Sequence, residues 1–414
     1  MKKTYIKKLF AFGAVALASS FAYAQTPAST PKSSVQLWGI VDMAYRHTNN
    51  EGAGKDGLSK MIGGGMSQSR WGINVDEDLG GGSKALVVLE NRFDADSGSS
   101  AANAPFFQLA HVGLQGPYGR LTAGRQWNVL FDVVTSTYAS FPYSPYMEAY
   151  KPELGMAMGA RTSNMLKYTF ATPDRSFVGS LQYSFDENND TKALEAQLPT
   201  FTTPLQTSQA VGSYVGSTLN GGAWKTVGGY LRYAPGNGLA VGGGYLRSTL
   251  PGGTDVDAWT LGGSYRTGPW YLTAGYGLNK AKYATVTSTV QGFRKELDGA
   301  ILGVFWAGQT NGGFVPGDAD KRQMVKLGVG YQATPQLNVG LHYFHGKQSG
   351  SATGLSNGKA NFVVAVADYA FSKRTDAYVG IDNTRLSGGD NVYLDAASKA
   401  RSRTGFTIGL RHRF

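Results

Sequence analysis

From residue 35 onward, apolar and polar side chains take turns along the chain. In VQLWGIVDMAY, Val35, Leu37, Val41 and Met43 alternate with Gln36, Trp38, Ile40, Asp42 and Ala44. In SRWGINVDE, Trp71, Ile73 and Val75 alternate with Arg70, Gly72, Asn74 and Asp76. In KALVVLENRF, Ala85, Val87 and Leu89 face away from Val88, Glu90 and Arg92. The last ten residues, GFTIGLRHRF, set Phe406, Ile408, Leu410, His412 and Phe414 against Gly405, Thr407, Gly409, Arg411 and Arg413. Period-two alternation predicts β-strands with one apolar and one polar face.

The connections between these strands alternate in length. Tight turns rich in Gly, Pro, Asn and Asp fall at 78–82, 116–119, 172–175, 235–238, 267–269, 334–336 and 372–375. Long polar segments fall at 47–66, 94–105, 127–161, 187–222, 249–255, 281–320, 348–358 and 387–401. An up-and-down meander with one trimmed rim and one decorated rim has this rhythm. The count is about sixteen strands, and a barrel of that size encloses an aqueous channel. The predicted fold is an all-β, closed antiparallel transmembrane barrel. It has long extracellular loops and short periplasmic turns, and its last strand closes against the first. GAILGVFWAG (299–308) reads either as part of the sixth long loop or as an extra strand.

A closed barrel suits this pattern physically. In hydrocarbon an unpaired backbone group costs several kcal/mol, so only helices and closed barrels span. A charge facing lipid at mid-depth costs about 2–4 kcal/mol, whereas one facing a water-filled lumen costs little. Arg70, Asp76, Glu90 and Arg92 therefore mark the inward parity. Trp71, Phe93, Tyr118, Trp127, Phe170, Tyr233, Tyr265, Trp270, Tyr271, Tyr331, Tyr369 and Phe371 sit near strand ends, as interfacial girdles require.

Composition adds compartment and excludes several classes. Residues 1–24 carry Lys2, Lys3, Lys7 and Lys8, then an apolar stretch from Leu9 to Ala18, then Ala22-Tyr23-Ala24. That is the layout of a secretory signal peptide with cleavage after Ala24, leaving 25–414 as one barrel domain. Without cysteine there is no disulfide and no thiolate metal site. The 57 glycines, 23 tyrosines and 20 phenylalanines fit many closely spaced strands. The formal charge of +11 includes the four leader lysines, leaving +7. The basic residues are spread singly rather than in a patch, which argues against a nucleic-acid partner. The five histidines show no metal-binding spacing, and no metal or other cofactor is expected. No G-x-S-x-G elbow is present, so no catalytic residues are expected; His111 beside a strand serine is the loose enzymatic option.

At this point the chain resembles the trimeric general porins of β-proteobacteria, a Gram-negative porin family. The matching stretches are SSVQLWGIVDMAY, SRWGINVDEDLGGGSKALVVLE, AHVGLQGPYGRLTAGRQ, RTSNMLKYTF and the closing GLRHRF. The resemblance implies a homotrimeric outer-membrane channel for small hydrophilic solutes and ions. It implies that the third loop, about 127–161, folds into the lumen and carries Asp132, Glu148 and Glu153 toward an arginine wall. The matching wall positions are Arg70, Arg92 and Arg125, with Arg161 at the loop's end and Glu90 among them. Arg125 shares a side with Leu121 and Ala123, so it faces inward only at a bulge or at the water-facing strand end. Gln108 stands where the family often has a basic residue. Phe414 is implied to be part of the signal read by the outer-membrane assembly machinery. Arginines in a narrow pore favour anions. A substrate-specific channel for sugar or phosphate is the alternative, with Trp38, Tyr138, Tyr143, Tyr146 and Tyr150 as an aromatic track.

Overall fold

The computed structural model describes residues 33–100, 106–143, 152–186, 224–250, 253–283, 319–395 and 397–414. The leader, the segment 299–308, Glu148, Tyr146 and Tyr150 lie outside these residues.

The strands in chain order are β1 (Ser34–Glu51), β2 (Asp56–Gly63), β3 (Arg70–Gly80), β4 (Ser83–Asp94), β5 (Ser99–Ser100), β6 (Phe107–Gly116), β7 (Gly119–Trp127), β8 (Arg161–Ala171) and β9 (Phe177–Ser184). They continue as β10 (Lys225–Tyr233), β11 (Leu239–Thr249), β12 (Asp255–Thr267), β13 (Trp270–Lys282), β14 (Lys321–Gln332), β15 (Leu337–Ser349), β16 (Gly358–Ala370), β17 (Thr375–Gly388) and β18 (Ser402–Arg413). Every neighbouring pair is antiparallel. β1 pairs β18 from Ile40↔Arg413 to Thr48↔Gly405, so the sheet closes. Gly39 and Phe414 exchange two backbone hydrogen bonds of 3.0 and 3.1 Å at the end of that seam.

Two of the strands are not separate staves. β3 pairs the lower part of β1 and β2 pairs its upper part, so they form one stave interrupted at 64–69. The first long connection, expected over 47–66, is therefore mostly strand. β5 is two residues long and pairs only with the end of β4. Sixteen staves make the barrel.

The surface is inverted relative to a water-soluble protein. Leu327 is 54% exposed and its neighbour Lys326 fully buried. Ile381 is 55% exposed and Asp382 3%. Exposed positions meet lipid and buried polar ones meet the lumen, as strand alternation dictates. No helix among the described residues is long and apolar enough to cross a membrane. Near the tight turns tilted rings pack across strands, with Phe177 on Tyr233 and Trp270 on Tyr331, each at 4.5 Å. Two expected girdle members turn inward instead. Trp127 packs on Phe131, and Tyr271 is buried with its hydroxyl on the carbonyl of Ala139. Both support the third loop, whose apolar underside needs a dry partner.

Candidate functional site: the third loop and the arginine wall

The third loop begins as α1 (Val129–Thr137). Asn128 caps it, its side-chain oxygen accepting the Phe131 amide at 2.8 Å. Val129, Leu130, Phe131, Val133 and Val134 are buried, and α1 lies against β10, β11 and β12 inside the barrel. The wall beneath is flattened by glycine. A Cβ at Gly262 or Gly275 would stand 2.7 or 2.6 Å from the Tyr138 ring.

Past α1 the backbone has no helical partner, so its carbonyls must find donors elsewhere. The wall supplies them. Ser264 donates to the Thr137 carbonyl at 2.5 Å, Thr273 to Tyr138 at 2.8 Å and Tyr271 to Ala139 at 2.8 Å. Lys326 of β14 also donates to the Tyr138 carbonyl. The loop continues into α2 (Pro152–Met156), where Asn279 donates to the Gly155 carbonyl at 2.7 Å.

The two described acids of the loop are occupied. Glu153 is fully buried and forms an ion pair with Lys326, which is also fully buried. Glu153 accepts the Ser140 amide at 2.9 Å as well. The expectation that Glu153 faces the arginines across open water is corrected: it is turned into the wall, where desolvation demands a cation. Asp132 pairs with Lys167 of β8 at 2.7 Å. Tyr138 and Tyr143 are buried to within 1% and pack against the wall. They therefore offer no stacking track to a solute.

The four arginines come from two pairs of neighbouring staves, β3 with β4 and β7 with β8, separated by β6. Arg70 and Arg92 stand directly opposite each other on β3 and β4. Such a like-charge pair is unfavourable by itself. Glu90 relieves it, lying 3.8 Å from Arg70 and 3.1 Å from Arg161. Arg161 also stacks 3.9 Å over the Trp127 ring. Arg125 donates to Ser163 at 2.8 Å. The inward turn of Arg125 is made by a bulge: the β7–β8 register shifts between Gly124 and Gln126. Gly124 has φ +125, and a Cβ there would lie 2.3 Å from the Ala110 carbonyl oxygen. Gln108 is buried on β6 beside this group. Asp42 does not balance the arginines. It is held by Tyr378 at 2.5 Å and by the amides of Ser67 and Met66.

Sequence reasoning missed three parts of this site. Lys167 and Lys326 were legible as inward lysines by parity, but not their partners. The interruption at 64–69 folds into the lumen, where Ser67 also accepts from Arg411 at 2.7 Å; nothing in its glycine-rich sequence signals that. A second basic group, Arg175, Arg232 and Arg266, lines a cavity of about 510 Å³ under α1 toward the tight turns. Elsewhere, His111 lies on the inward parity of β6, since Val112 and Leu114 beside it are exposed to lipid. Among the described residues there is no cluster suited to a metal ion.

Comparison with known proteins places this geometry. The family model described as Gram-negative porin matches residues 11–389. Outer membrane porin protein 32 of Delftia acidovorans is 27% identical over 399 residues, covering 94% of this chain and 97% of that one. An outer membrane porin protein of Bordetella pertussis is 32% identical over 209 residues, covering 46% of this chain and 49% of its own. The solved anion-selective porin from Comamonas acidovorans superposes with a TM-score of 0.64 at 24% identity, covering 92% of this chain and all of that one. The chain belongs to the Gram-negative porin family, and it is an outer-membrane channel in the form of a water-filled barrel.

Proposed function

We propose that this porin passes small hydrophilic solutes with a preference for anions, and that Arg70, Arg92, Arg125 and Arg161 set the preference. One observation carries the reading: Arg70, Arg92, Arg125 and Arg161 gather on β3, β4, β7 and β8 around Glu90, which meets Arg70 at 3.8 Å and Arg161 at 3.1 Å. The described loop acids cannot offset them, because Asp132 is neutralised by Lys167 and Glu153 by Lys326. The local excess is therefore positive, and a positive ring lowers the barrier for anions. Arg175, Arg232 and Arg266 continue the same sign toward the periplasm. The solved porin from Comamonas acidovorans, an anion-selective one, has the same fold.

Residues 1–24 direct export and are removed, 25–414 form one barrel domain, three copies associate, and the assembly machinery reads Phe414 with its exposed ring. The decisive experiment is the reversal potential of purified protein in a planar bilayer under a salt gradient. A cation-selective sign would reject the proposal.

A further inference from the structure

The third loop has an underside. On the side of the tight turns, the stretch from Thr135 to Phe141 roofs a cavity of about 510 Å³ whose floor is the inner wall of β10–β13. That volume lies within the range of small-molecule sites, about 300–1,000 Å³. Three cations line it: Arg232 of β10, Arg266 of β12 and Arg175 of the turn between β8 and β9. Among the described residues none of the three meets a carboxylate within ion-pair distance. Asp174, next to Arg175, accepts the Ser176 amide at 3.2 Å and does not line the cavity.

Two of the guanidiniums are held in place. Arg232 donates through Nε to the Ser136 carbonyl at 3.1 Å, which leaves its Nη groups to another acceptor. Arg266 lies 4.2 Å from the Tyr271 ring centre and 5.4 Å from that of Phe141. A guanidinium packed on a ring keeps its N–H edge for a ligand. Tyr271 is fixed in turn by its bond to the Ala139 carbonyl. Phe141 keeps 39% of its surface exposed, whereas Tyr138 and Tyr143 are buried. Its ring lines the cavity together with Ser136 and Thr137.

We infer that this cavity is a binding site for phosphate monoesters of small polyols, sugar phosphates among them. Charge and acceptor count select the phosphate. A carboxylate brings two oxygens and one charge. A phosphate monoester brings three terminal oxygens and about −1.5 to −2 charges at neutral pH, which suits three guanidinium edges. The polyol end meets the Phe141 ring with its apolar face, and Ser136 and Thr137 with its hydroxyls. The site rests on the anion preference proposed above for its supply of solute, and it holds that solute just beyond the constriction.

The test uses the whole mature barrel in detergent, titrated with glucose 6-phosphate and followed by phosphorus NMR line broadening. R175Q/R266Q leaves the Arg232 bond to α1 in place and is expected to bind about tenfold or more weakly. R175Q alone, on an exposed turn, is expected to fall between it and the parent. R70Q/R92Q should keep the parental affinity. Binding in detergent needs no permeation, so the reversal potential decides the anion preference separately. Equal affinity of parent and R175Q/R266Q, loss in R70Q/R92Q alone, or succinate displacing the probe as well as inorganic phosphate does would overturn the proposal.

Discussion

Lys326 and Glu153, 173 residues apart, form a fully buried ion pair that fastens the third loop to the inner wall. Breaking a buried pair on one side strands the other charge and costs about 3–5 kcal/mol. Lys326→Met is therefore expected to loosen the loop while the barrel persists. Added protease cleavage within 127–161 and noisier single-channel current should report it. The double change Lys326→Met with Glu153→Gln should restore much of the quiet, since neither side is then left charged. A double variant as noisy as the single would contradict this account.

The arginine wall predicts a graded selectivity. A unit charge about 10 Å from a permeating ion contributes about 0.4 kcal/mol at the dielectric constant of water. That is roughly twofold for one ion and roughly fourfold in the anion-to-cation ratio. Arg70→Ala with Arg92→Ala should lower the ratio by more than either alone, read from reversal potentials. Glu90→Gln should raise it. No change in the double variant would remove these residues from the selectivity mechanism.

Gly124→Ala tests the bulge. Its backbone angle and the 2.3 Å approach to the Ala110 oxygen leave no room for a methyl group. Strain of about 1–3 kcal/mol is expected, visible as a lower temperature of barrel unfolding on gels. Because the bulge aims Arg125, the anion preference should fall as well. A destabilised variant with parental selectivity would show that Arg125 does not act on the permeating ion.

Acid should loosen the eighth loop. Partial burial pushes the Asp395 carboxyl up, but hydrogen bonds from Ser398 and Arg403 outweigh it and hold it below the usual carboxylate range. A depressed carboxylate stabilises the fold above its unfolded value, and that contribution is lost as pH falls through the folded one. Proteolysis or amide exchange across 389–401 should accelerate on acidification below the ordinary aspartate range. Asp395→Asn should show faster exchange at neutral pH and a flatter pH profile.

Phe414→Ala should separate assembly from stability. Its backbone seam to Gly39 does not depend on the ring. Refolding in detergent is expected to stay near parental yield, while the amount inserted in cells should drop. Equal loss in both settings would make the ring a structural element only.

The strand pattern was readable because each membrane-facing position is judged locally. Leu327 and Ile381 could be assigned to lipid, and Lys326 and Asp382 to the lumen, from parity alone. The tight turns were equally legible from their glycine and proline chemistry. Arg125 shows the limit: parity put it outward, and only the bulge beside Gly124 turns it in. Glu153 shows another. Its place on the loop was clear, but its partner was not.

By itself the sequence determined the closed sixteen-stave barrel and the face shown by strand residues away from bulges and from the third loop. Hydrocarbon imposes that choice residue by residue, penalising every exposed charge and every unpaired peptide group. Tertiary structure alone decided which inward charges cancel and which remain to act on a passing ion. Coulomb energy depends on distances between residues far apart in the chain, and those distances arise only once the barrel curves and the third loop packs inside it.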